Sequence, residues 1–128
     1  CTVAQDLLGI RCCDQPARCN RTARLTEALD VVGRSHRQIG SALSFPEICA
    51  EIDANWPIGV RIRWYGGGAH YVVIWGYHVS RSGVPQVDVA DPLYPCGRWD
   101  YADFCYAYQN GIPGLGGGMW SHSYLLEP

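Results

Sequence analysis

The chain has 128 residues, of which 48% are hydrophobic and 17% charged, with a formal net charge of −2. That balance describes a folded globular protein of single-domain size, excludes intrinsic disorder, and leaves no basic footprint for nucleic acid. No apolar run approaches membrane-span length and no secretory apolar segment stands at the start, so no membrane partner is expected.

In chain order, Thr2 to Leu8 predicts a short helix with Val3, Leu7 and Leu8 on one side, stopped at Gly9. A polar loop with Cys12, Cys13 and Cys19 follows, while Cys1, Cys49, Cys96 and Cys105 are scattered. Seven cysteines predict one to three disulfides and at least one thiol left over. Adjacent Cys12 and Cys13 must take different partners, because a vicinal bridge is strained. Zinc is the competing reading, disfavoured because no Cys-x-x-Cys pair exists and the four histidines are dispersed. No cofactor is expected.

Asn20 reads as the N-cap of a helix from Arg21 to Val32, core-facing through Leu25, Ala28, Leu29 and Val32 and stopped at Gly33. A short strand is expected near Ile39. Ser44 and Glu47 form a capping-box pattern for a helix through about Ala54 that buries Ile48 and Ile52. Beyond Asn55-Trp56-Pro57, the residues Ile58, Val60, Ile62 and Trp64 alternate with Gly59, Arg61 and Arg63, the pattern of a half-exposed strand. Gly66, Gly67 and Gly68 allow a sharp reversal into a nearly unbroken apolar strand from His70 to Tyr77. Ser80 to Pro85 carries turn chemistry, and Gln86 to Ala90 returns, giving a three-stranded antiparallel meander. Tyr101 to Tyr108 predicts a brief helix burying Phe104, Gly111 to Gly118 is too glycine-rich for regular structure, and Trp120 to Leu125 reads as a closing strand. Helices first and antiparallel sheet second define an α+β fold.

His70 stands at the mouth of the central strand, where its ring is held rigidly. If the hairpin folds about Ser80 and Arg81, the residue facing His70 is Asp91 or a near neighbour, since both lie equally far from the turn. Pro92 ends the returning strand there. A carboxylate accepting from one ring nitrogen fixes the tautomer and leaves the other nitrogen to act as a base. The competing reading is a structural histidine beside an Asp-Pro strand terminator. His78 and His122 have no carboxylate partner that the sequence places, and both read as structural.

The order Cys12-Cys13, Cys19-Asn20, the Leu25/Ala28-Leu29 helix, Phe45, Glu47-Ile48, Ile52, Pro57, Trp64 to His70, Gly76-Tyr77, Asp91-Pro92 and Trp120 to Tyr124 resembles the bacterial papain-like cysteine proteases of the AvrRpt type. The resemblance spans nearly the whole chain. It implies a papain-like fold, a peptide or protein substrate, a secreted bacterial effector, His70 as general base and Asp91 as its orienting carboxylate. The family's nucleophile opens a long buried helix in a Cys-Trp-Ala-Ala-like motif, preceded by a glutamine that stabilises the oxyanion. Neither motif occurs in this sequence. The only methionine is Met119, so a processed product or fragment is expected, with the nucleophile helix missing upstream and the isolated chain inactive. Two alternatives stand beside this one: Cys1 as the nucleophile, including as an N-terminal-nucleophile hydrolase, and a catalytically inert papain-like module that binds protein.

Overall fold

The computed structural model describes residues 2–34, 36–110 and 116–127. The chain divides into two compact units, Cys1–Arg37 with Leu126–Pro128, and Gln38–Leu125.

The first unit is helical. Helix α1 (Thr2–Leu8) ends at Gly9, whose φ of 64° reverses the chain, and packs against α3 (Leu25–Val31). Between them lies the short helix α2 (Pro16–Cys19), closed by a Cys12–Cys19 disulfide. Cys13 is also held in a disulfide, so the two adjacent cysteines do take different partners. The helix expected from Arg21 begins instead at Leu25, and Asn20 caps the end of α2 rather than the start of α3. Pro16 supplies the reason: its fixed φ suits the first turn of a helix, so it nucleates a separate turn, and the chain needs residues 20–24 to re-enter. Nor is α3 core-facing as expected. It has no fully buried residue, and Val32 is 49% exposed, because three short helices enclose too little volume to bury a whole face.

The second unit contains all but His36, Arg37 and Leu126 of a six-stranded sheet in the order β1-β6-β2-β3-β4-β5, formed by β1 (His36–Ile39), β2 (Ile58–Trp64), β3 (Ala69–Val79), β4 (Pro85–Ala90), β5 (Gly97–Asp100) and β6 (Gly118–Leu126). The β2–β3, β2–β6, β3–β4 and β4–β5 pairs are antiparallel. Two helices interrupt it, α4 (Phe45–Asp53) and α5 (Tyr101–Tyr106). The α+β class therefore holds, with helices and strands more interleaved than expected.

Local sequence explains most of these elements. In α4 the Glu47 carboxylate accepts from the Ser44 N–H at 2.7 Å and the Ser44 hydroxyl at 2.6 Å, which fixes the helix start. Ile48 is fully buried and Ile52 packs partly against the core. In β2 every second residue, Ile58, Val60, Ile62 and Trp64, is buried. With Val72, Ile74, Val87, Val89, Phe104 and Trp120 they form one apolar core between the sheet and its helices.

Two features depart from expectation. Strand β5 was not anticipated; it is four residues long, mostly exposed, and follows Pro95, so it carries no alternation to read. Gly118, assigned to an irregular stretch, starts β6, while 111–115 of that stretch lie outside the described residues. Within β3 a bulge falls between Ile74 and Gly76: Ile74 faces Val89 and Tyr77 faces Val87, so Trp75 and Gly76 on one strand stand against Asp88 alone on the other. His70, Val72 and Ile74 point into the core before the bulge, and Tyr77 packs on Phe45 of α4 after it, leaving Trp75 60% exposed. Among the described residues no helix is long and apolar enough to cross a membrane.

Candidate functional site

The site lies where β2, β3 and β4 end together. The loop from Trp64 to Gly68 closes with Gly67 N–H on the Trp64 carbonyl at 3.1 Å and Trp64 N–H on the Gly68 carbonyl at 3.2 Å. Gly67 and Gly68 have φ of 99° and 84°, which side chains rarely adopt, so glycine is needed for this reversal. It delivers His70 to the rim of the sheet directly opposite Ile62.

His70 Nε2 lies 2.9 Å from Asp91 Oδ1, and both residues are buried, at 7% and 8% exposure. An ionised carboxylate only accepts, so Nε2 carries the hydrogen. The two residues meet as the hairpin reading expects, but on a different register. The turn occupies Ser80 to Val84 rather than centring on Ser80 and Arg81, since Val79 pairs with Pro85. With the last ladder pair at Val73 and Ala90, Asp91 falls diagonally across from His70 instead of face to face, on the same side of the pleat.

Asp91 is saturated with donors. Its Oδ1 also accepts the N–H groups of Leu93 at 2.7 Å and Tyr94 at 2.9 Å, an Asx-type turn across Pro92. Its Oδ2 accepts the Tyr108 hydroxyl at 2.6 Å. Burial works to raise the Asp91 pKa, but the bonds from Tyr108, the Tyr94 and Leu93 amides and His70 outweigh it and hold the carboxyl below its usual value. Burial, then the bond to Asp91, pushes the Tyr108 phenol far up, so it remains a donor. Tyr108 is itself fixed by a two-way backbone bridge to Gly118, at 3.0 and 2.9 Å.

Aromatic rings wall the pair. The Trp64 indole stacks on His70 at 5.7 Å and 14°, and lies nearly parallel to Tyr108 at 6.3 Å and 19°. Tyr94 meets both Trp64 and His70 edge-on. Ring rotation at His70 is thereby blocked by packing as well as by the bond to Asp91. Its second nitrogen, Nδ1, has no hydrogen-bond partner among the described residues, and no buried side-chain nitrogen or oxygen is left unpartnered there, so Nδ1 reaches solvent. The arrangement is an oriented imidazole with one open lone pair.

Among the described residues the free cysteines are Cys49, Cys96 and Cys105, and none of them is hydrogen-bonded to His70. Cys49 is within α4, and its thiol is pushed up by burial and then by Asp53. Cys105 is buried in α5, and burial raises it too; both shifts oppose thiolate formation. Cys96 is exposed, but its sulfur takes the Asp91 backbone N–H at 3.4 Å and so braces the Asp91 loop. Cys1 lies outside the described residues. His78 is exposed near the end of β3, and His122 Nδ1 lies 3.1 Å from Ser121 Oγ, away from the His70–Asp91 pair. Among the described residues no three His, Cys, Asp or Glu side chains gather as a metal site.

Sequence reasoning missed Tyr108, Trp64 and Tyr94 as members of the site. Trp64 was visible as the last inward residue of an alternating strand and the first of the Trp64 to His70 stretch, without a role at the histidine, and Tyr108 only as the end of a brief helix. No family model matches the chain, and no curated protein matches it.

Proposed function

We propose that this chain carries the base half of a papain-like cysteine peptidase, acting on a peptide or protein substrate, with His70 as general base and Asp91 as its orienting carboxylate. The observation that supports it best is the asymmetry of the His70 ring: Nε2 is tied to a buried, fully bonded carboxylate and Nδ1 is open. A structural histidine gains nothing from an unpartnered nitrogen, whereas a base requires one. The thiolate comes from a cysteine outside the described residues. In the reaction Nδ1 takes the thiol proton, the sulfur attacks the peptide carbonyl, and the imidazolium, supported by Asp91, returns the proton to the leaving amine; water then cleaves the thioester. Because Asp91 stays ionised, His70 is the one group of the pair that changes charge.

The test is labelling by a peptidyl vinyl sulfone, applied to this chain and to the chain extended through the codons preceding Cys1, each with His70→Ala beside it. His70-dependent labelling of either chain supports the peptidase reading, and the labelled cysteine identifies the nucleophile. No labelling of either chain favours the second reading, an inert protein-binding module. That reading draws on Trp75, Tyr65 and Tyr106, which are 60%, 56% and 67% exposed and leave aromatic surface available to a partner.

A further inference from the structure

A second polar site lies on the other face of the sheet. Arg61 and Arg63 flank Ile62 on β2, and since Ile62 faces His70, the pleat turns both arginines away from the His70 side. They reach toward β6, where Arg61 Nη1 donates to Ser121 Oγ at 3.0 Å and an Arg63 Nη2 hydrogen meets Met119 Sδ at 3.0 Å. Both line an open cavity of about 520 Å³, together with Ser121, His122, Met119 and Trp120.

Three of the ten arginines, Arg11, Arg37 and Arg98, have a carboxylate partner among the described residues. Arg61 and Arg63 have no carboxylate within salt-bridge distance among the described residues, although they are neighbours on one face of a strand and repel each other. Arg61 is held in place rather than free. The Ser121 hydroxyl gives its hydrogen to the Arg61 carbonyl at 3.0 Å, so it accepts from the Arg61 guanidinium and from His122 Nδ1. That leaves His122 Nε2 and most of the N–H groups of two guanidiniums without acceptors among the described residues, beside the Met119 thioether.

We propose that this cavity binds a phosphate monoester carried on a small apolar body. Two guanidinium forks match the charge and several oxygens of a phosphate dianion better than a single carboxylate, and Met119, which pairs with Arg63, offers contact to the organic part. The site is independent of the His70 chemistry.

The experiment is a ¹H–¹⁵N titration of the full chain with inorganic phosphate, phenyl phosphate and benzoate. Phenyl phosphate gives saturable shifts confined to β2, β6 and the 40–42 loop, binding more tightly than either inorganic phosphate or benzoate. Arg63→Gln, an exposed position that leaves the fold intact, weakens it about tenfold, as does Arg61→Gln. Ser121→Ala weakens it less, by loosening Arg61. Absence of saturable shifts, benzoate binding as tightly as phenyl phosphate, or undiminished binding in Arg63→Gln would each overturn the proposal.

Discussion

Tyr108→Phe isolates one bond in the site. The ring sits at 0% exposure, so phenylalanine fills the same space and opens no cavity, while the 2.6 Å hydrogen bond to Asp91 Oδ2 disappears. A hydrogen bond to a charged group contributes about 1.5–3 kcal/mol, so the variant should lose that much stability at pH 7, read from urea midpoints at unchanged slope. The pH dependence is the sharper test. Asp91 has a depressed pKa in the folded state, so its stabilisation is complete above the unfolded value of about 3.9 and is lost as pH falls through the lower folded value. Removing the phenol moves the Asp91 pKa back up. The stability gap between wild type and Tyr108→Phe should therefore begin to shrink below about pH 4 and close further as pH falls through the lower folded pKa of Asp91, where the carboxyl becomes protonated and the bond is a neutral one of about 0.5–1.5 kcal/mol. A loss at pH 7 under about 0.5 kcal/mol, or a gap that does not change with pH, would refute the assignment of Tyr108 as the main donor to an ionised Asp91.

Other outcomes follow from the same geometry. Asp91→Asn should flatten the acid limb of the stability curve, measured by urea unfolding across the carboxylate range, since it removes a group whose folded pKa is lowered. Gly118→Ala places a Cβ 2.6 Å from Ile62 Cγ2 and 2.7 Å from Trp64 Cε3, and should cost about 1–3 kcal/mol by overpacking. Because Trp64 stacks on His70, the same change should shift the His70 ring resonances. The Cys12–Cys19 bridge spans a sequence separation of 7. Replacing both residues with serine should cost about 2–2.5 kcal/mol on a chain-entropy estimate, seen as faster proteolysis within residues 1–37 while 38–125 stays protected.

How far the sequence led depended on the range of the interaction. Strand β2 was legible because one periodicity, Ile58 to Trp64, reports one buried face. Helix α4 was legible because Ser44 and Glu47 are three residues apart and cap each other locally. His70 and Asp91 were legible because a hairpin joins them, although a five-residue turn in place of a two-residue one displaced the register. Tyr108 was not legible. It meets Asp91 only because a bridge to Gly118 holds it there, and nothing in residues 101–108 encodes that pairing. The arginine pair was read as the solvent side of β2, which is correct, but the cavity beside it depends on β6, far along the chain.

The bulge at Trp75 puts β3 in two phases, one that aims His70 at Asp91 and one that seats Tyr77 on α4. Deleting Trp75 would close the bulge into an unbroken ladder, with Ile74 still opposite Val89 and Tyr77 still opposite Val87, whereas deleting a residue between His70 and Ile74 would turn the site to the wrong face. The loop from Ser80 to Val84 lies beyond both and is free of that constraint. Loss of one residue along this hairpin should accordingly be accepted at its tip and at the bulge and rejected between His70 and Ile74.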